Sequence, residues 1–225
     1  MDNRKLSRRQ LLKAAGALGV AAAALDPIKA FADDDEGSGR VSWDIINVVA
    51  DATKPNGLCI VKGGSASATA TNGPHKAEGR ITVTGHGTFP NADKCSKNVT
   101  GGGTWSIVDS SDDPRCFSGS GNYHVTELLS WRPAVGTLPI GDCTDEAGTP
   151  SSGLAVLRVL YSNGRRGTLT VSCHLPANAP ACMFEGITAS MEHEDFWQNE
   201  AADANPLVPG NRTVFHIRRN GESDD

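Results

Sequence analysis

Several features are scarce in this chain, and each scarcity excludes something. Long apolar patterns with the three-to-four-residue period of an amphipathic helix are few, which argues against a helical bundle. No two cysteines stand in a C-x-x-C pair, so the usual clasp for structural zinc is missing. G-x-S-x-G, H-E-x-x-H and the phosphate-cradling P-loop are also missing. Basic residues form no stripe: 21 Lys and Arg face 26 Asp and Glu. Residues 1–32 hold six of the basic and two of the acidic side chains, so removing them moves the net charge from −5 to −9. An acidic body of this kind is a poor nucleic-acid binder.

Glycine, by contrast, is abundant, with 25 residues. Three glycine–aromatic units stand at the centre of the chain: Gly85-His86-Gly87-Thr88-Phe89, Gly101-Gly102-Gly103-Thr104-Trp105 and Gly119-Ser120-Gly121-Asn122-Tyr123. Side chains alternate faces along a strand. Ile81, Val83 and Phe89 therefore share a face with Gly85 and Gly87, Trp105 shares one with Gly101 and Gly103, and Tyr123 with Gly119 and Gly121. An aromatic ring can lie over a glycine of the neighbouring strand and restore the packing that glycine lacks. A register with Val83 opposite Trp105, Gly85 opposite Gly103 and Trp105 opposite Gly121 keeps every apolar face on one side. A one-residue slip would turn Trp105 outward. Three consecutive antiparallel strands are the expectation, and their glycines permit the sharp coiling of a small barrel.

Ser7-Arg8-Arg9-Gln10-Leu11-Leu12-Lys13 resembles the twin-arginine export motif, with Leu11 where the family often has Phe. An Ala/Gly-rich apolar run follows from Ala14 to Leu25, too short to span a bilayer as a stable helix, and Ala30-Phe31-Ala32 offers a cleavage point. The resemblance implies a twin-arginine signal peptide over residues 1–32, contact with the Tat translocase during export, and a periplasmic, cell-wall or extracellular destination. The first cysteine is Cys59, so no lipid-anchoring cysteine stands at the cleavage point. No stable membrane insertion is expected after signal removal. Residues 33–40 read as a flexible linker, 41–219 as a single all-β domain and 220–225 as a frayed tail.

Within that domain, Leu154–Tyr161 is apolar on both faces and reads as a central strand. Ser162-Asn163-Gly164 is a hairpin turn leading to a return strand over 166–174. Residues 132–152 read as a long connection, long enough to be a lid or a crossover, 192–197 as a short helical turn and 213–218 as the last strand. About nine or ten strands with local connections make an all-β antiparallel meander closing into a β-barrel; a two-sheet β-sandwich is the alternative.

All six cysteines lie beyond the signal, which in an exported protein implies three disulfides. Cys95 and Cys116 flank the strand of Trp105 from opposite ends, too far apart to pair. The expected pairs are Cys59–Cys116, Cys95–Cys143 and Cys173–Cys182.

Two sets of residues carry candidate chemistry. His86 and His124 would both lie beside Gly102, on the polar face, and are the weak metal candidates; an ordinary solvated face is the simpler account. On the inward face, Glu127 alternates with Val125 and Leu129, Glu185 with Ile187 and Ala189, and Arg158 lies among Val156 and Leu160. Buried carboxylates need partners. Glu127–Arg158 as a buried ion pair is the simpler account. Glu127 or Glu185 near Tyr123 as a general acid or base is the sharper one. Tyr123, Glu127, Arg158, Glu185, Trp105 and Trp131 form the expected ligand-binding set. Glu192-His193-Glu194-Asp195 reads as a solvated acidic turn. Gly103-Thr104-Trp105 resembles the Gly-x-Trp of lipocalins and avidin-type barrels; in lipocalins that motif opens the barrel, whereas here it is mid-chain, and no site residue is transferred from it. The expected function is an exported, disulfide-stabilised binder of a small-molecule or glycan ligand, without cofactor. The alternatives are an acid–base isomerase or hydrolase using the inward carboxylates, and a purely structural cell-surface module.

Overall fold

The computed structural model describes residues 39–72, 79–92, 95–108 and 117–219. The export segment 1–32, most of the linker and the tail 220–225 lie outside them. Among the described residues there is no α-helix. The strands in chain order are β1 (Arg40–Ala50), β2 (Leu58–Lys62), β3 (Ala66–Thr69), β4 (Arg80–Val83), β5 (His86–Pro90), β6 (Thr100–Val108), β7 (Gly119–Ala134), β8 (Gly141–Asp142), β9 (Thr149–Tyr161), β10 (Arg166–Cys173), β11 (Gly186–Met191), β12 (Glu194–Phe196), β13 (Gln198–Asn199) and β14 (Arg212–Arg218). β1, β5, β6, β7, β9 and β14 close an antiparallel six-stranded barrel. Outer strands extend it: β10–β11–β12 continue from β9, β4–β3–β13 from β6, and β2–β8 from β1. The first two wings meet where Thr71 N donates to Asp195 O. The architecture is the barrel and not the sandwich.

The glycine–aromatic register is the one the sequence pattern demands. Val83 stands opposite Trp105, Gly87 opposite Gly101, and Trp105 opposite Gly121. A Cβ on Gly121 would lie 3.1 Å from Trp105 Nε1, and one on Gly87 would lie 2.8 Å from Trp43 Nε1, so both glycines make room for rings on neighbouring strands. Two aromatic clusters fill the interior. Trp131 packs on Phe215 and Phe89 at centroid distances of 4.6 and 5.2 Å, while Tyr161 meets Trp105 at 5.8 Å and Tyr123 at 6.2 Å. The polar tips of these rings find partners, as buried ones need to: Trp131 Nε1 donates to Asn91 Oδ1, Trp105 Nε1 to Asn122 O, Tyr123 Oη to Thr84 O and Tyr161 Oη to Ser190 O.

β7 departs from strict alternation. Val125 opposes Val159 and Glu127 opposes Arg158, so Thr126 is an extra residue; Leu128 opposes Leu157 and Ser130 opposes Val156, so Leu129 is another. Each bulge shifts the side-chain phase by one. Between the two bulges Leu128 turns inward and Glu127 outward; after the second, Trp131 is inward again. Glu127 is thus not an interior carboxylate, as the unbroken alternation implied.

The cysteine pairing also differs from expectation. Cys59 bonds Cys143, because β8 runs parallel beside β2 with Gly141 opposite Cys59 and Cys143 N donating to Ile60 O. This excludes both Cys59–Cys116 and Cys95–Cys143; Cys116 itself lies outside the described residues. Cys95 sits instead against β7, where its thiol donates to Leu129 O. Cys173–Cys182 does not form either. Cys173 faces the core from the end of β10, whereas Cys182 is carried to the surface by the following loop. Residues 194–196 form β12 against β11 instead of a helical turn.

Candidate functional site: an acid–imidazole cluster under a clamped flap

The outward side of β1 and β14 carries the cluster. On β1, Val41, Trp43 and Ile45 point into the barrel, which turns Ser42, Asp44 and Ile46 outward. On β14 the inward Phe215 leaves Val214 and His216 outward. A flap over residues 135–148 lies across this face. Its Leu138 and Ile140 pack on a small second core of Ile46, Val48, Ile60 and Val214. The flap is fastened by the Cys59–Cys143 disulfide, by Asn56 Nδ2 donating to Pro139 O at 2.7 Å, and by an ion pair between Lys62 and Glu146.

Beneath it, His216 is wholly buried and its Nε2 lies 2.6 Å from Asp142 Oδ2. Burial raises the Asp142 carboxyl. The bond from His216 and those from the backbone N–H and hydroxyl of Thr144 outweigh it and hold the group at about 2. Asp142 is therefore ionised and accepts, so Nε2 carries a proton. Asp44 is treated differently. It is 1% exposed, and neither carboxylate oxygen has a hydrogen-bond partner among the described residues. Burial, reinforced by the charge of Glu146, lifts it to about 6, against the pull of Lys62, His216 and His86. Ser42 Oγ and His216 Nδ1 are likewise buried without partners.

Two acids beside one imidazole are thus pushed apart, Asp142 down and Asp44 up, the arrangement that lets one group move a proton while the other stays charged. Ser42 stands directly opposite His216 across the β1–β14 ladder. With its hydroxyl buried and not bonded to the ring, it is not an activated nucleophile in this state.

The cluster continues into an open shelf. Across the sheet, Asp44 opposes His86 on β5, His86 opposes Gly102 on β6, and Gly102 opposes His124 on β7. One step along, Ser42, Thr88 and Thr100 form a parallel row. Both His86 and His124 are exposed. The hydroxyls pair across strands, Thr88 with Thr100 at 2.9 Å and Thr84 with Thr104 at 2.7 Å.

The expected ligand-binding set is not brought together. Trp105, Trp131 and Tyr123 are packing residues of the interior. Glu127 and Arg158 form an ion pair of 2.8 Å on the outer surface, with the Arg158 side chain 51% exposed. Glu185 lies elsewhere, half-buried, at the seam where β10 and β14 lie end to end along β9. Its carboxyl accepts from His174 N at 2.5 Å and Thr213 N at 2.6 Å, and burial lifts it to about 7 despite these bonds. It joins two strand ends and is not near Tyr123's hydroxyl, which is bonded on β4's side of the barrel. The acidic stretch 192–195 is engaged in anchoring neighbours: Glu192 accepts from Arg166 N, Glu194 from Phe117 N and Asp195 from Asn72.

The sequence reading missed Asp44, His216 and Asp142. A signal was present. Residues 43–46 and 214–217 are apolar on both faces apart from one Asp and one His, which marks strands covered on both sides and a polar residue that covering would bury. Among the described residues, only Asp51, Cys59 and Cys143 place three metal-binding atoms close together, and the disulfide consumes both sulfurs. The chain matches no protein-family model, no curated protein and no solved structure.

Proposed function

We propose that this is an exported, disulfide-stabilised binding protein that takes a small polar, carbohydrate-like ligand on the outside of its barrel, at the flap edge where Asp44 meets the Thr/His shelf. The carrying observation is Asp44: neither oxygen of this buried carboxyl has a donor among the described residues, which costs about 1–3 kcal/mol for a neutral group and more for a charged one, and a ligand that supplies the donors explains it. Trp105, Tyr123 and Trp131 are packed core residues whose polar tips are already bonded, which supports an external site over one that they line. Export rests on the twin-arginine-like segment and is consistent with the Cys59–Cys143 bond.

A panel of mono- and oligosaccharides followed by two-dimensional NMR tests this. Shifts should cluster on residues 42–46, 84–88, 100–104 and 122–126 and vanish in Asp44→Asn. Shifts centred on Tyr123 and Trp131, or binding that survives Asp44→Asn unchanged, would overturn it. A second reading, an acid–base isomerase or hydrolase, is favoured by the opposed shifts of Asp44 and Asp142. It places the chemistry at Asp44 and His216 instead of Glu127 or Glu185; like a ligand that reaches the covered oxygens of Asp44, it requires the flap to lift.

A further inference from the structure

We propose that His86 and His124 hold a divalent transition-metal cation between them across Gly102, with Asp44 as the carboxylate behind His86. Asp44 is shared with the proposed ligand face, but metal binding does not depend on any sugar being bound.

The row is continuous in the hydrogen-bond register: Asp44, His86, Gly102 and His124 occupy four successive strands and the same outward face. Adjacent strands are about 4.8 Å apart, which puts the two histidine backbones roughly 10 Å from each other. The residue between them has no side chain. Two imidazoles leaning inward over that gap reach a common ion at the usual nitrogen–metal distance of about 2.0–2.1 Å. Both rings are exposed, so they turn without disturbing the core and leave the remaining coordination positions to water.

The second observation is independent of the pair. A metal-bound imidazole commonly donates its other N–H to a carboxylate, which fixes the ring's tautomer and orientation. Asp44 is the cross-strand neighbour of His86, is almost fully buried, and has both oxygens without donors among the described residues. An N–H from His86 would give it one. The three side chains are not already drawn into one coordination sphere, so the ion is gathered by ring rotation and not held in a finished cage. Nitrogen donors select Cu2+, Ni2+ and Zn2+ over the oxygen-seeking Mg2+ and Ca2+.

The test is titration of the folded full chain with Zn2+ alone, read by histidine ring NMR, with Cu2+ spectroscopy counting bound nitrogens. One ion per chain should shift His86 and His124 and leave His193 and His216 unmoved. Two ring nitrogens should couple to Cu2+. His86→Ala and His124→Ala should each weaken binding at least tenfold, and Asp44→Asn severalfold. Unchanged affinity in His124→Ala, or shifts centred on His193, would overturn the proposal. So would the lack of saturable binding. Because His124 is exposed, its variant keeps the test decisive even if Asp44→Asn folds poorly. Repeating the sugar titration with chelator present separates the two proposals: sugar shifts that persist there, together with no saturable Zn2+ binding in chelator-free buffer, overturn only the metal site.

Discussion

The barrel interior and the covered outer face of β1 and β14 are both buried, yet they are built on opposite principles. Inside, Trp131, Phe89, Phe215, Trp105, Tyr161 and Tyr123 pack ring on ring, and the polar atoms of Trp131, Trp105, Tyr123 and Tyr161 each have a partner, Trp43 Nε1 being the exception. Under the flap, Asp44, Ser42 and His216 Nδ1 lie buried with none among the described residues. Satisfied burial stabilises a fold; unsatisfied burial costs stability and is kept where something else uses the group. The interior is therefore the scaffold and the covered face is the candidate site.

Substitutions sharpen this contrast in order of expected size. Trp131→Ala removes the ring that joins Phe89 to Phe215 and should destabilise by about 3–5 kcal/mol in chemical denaturation. A loss under 1 kcal/mol would mean that the interior is loosely packed. Glu185 sits at the seam and should report on pH. Its folded value of about 7 is above its ordinary 4.5, so the folded state binds the proton more tightly. The associated stability is present below 4.5 and is lost as pH rises through 7, a change of about 3 kcal/mol. Glu185→Gln should lack that part of the slope; an identical slope in the variant would refute the assignment. Arg158→Ala breaks a half-exposed ion pair, and the change should be under about 1 kcal/mol. A larger loss would mean that the pair acts as a buried one.

The two regions were also unequally legible in the sequence. The interior register could be read because rings opposite glycines tolerate no slip, and the pairing of Trp105 with Gly121 follows from that constraint alone. The bulges at Thr126 and Leu129 could not, since a one-residue insertion leaves no compositional mark, and Glu127 was placed inward as a result. The disulfide was misjudged because β8 pairs parallel with β2, a contact between segments 84 residues apart that no local pattern announces. For the same reason the face on which the long connection settles, and with it the burial of Asp44 and His216, was invisible, while His86 and His124 beside Gly102 were found from the register.

The most direct measurement is the stability of Asp44→Asn against the natural chain between pH 4 and pH 8. Asp44 is raised to about 6, so its ionisation weakens the folded state as pH rises above the ordinary 3.8. If Asp44 is held for a ligand at the expense of the fold, the variant gains stability relative to the natural chain as pH passes 6 and is the more stable of the two at pH 8. A variant less stable at pH 8 would show that Asp44 is a structural group, and would contradict a site at the flap edge.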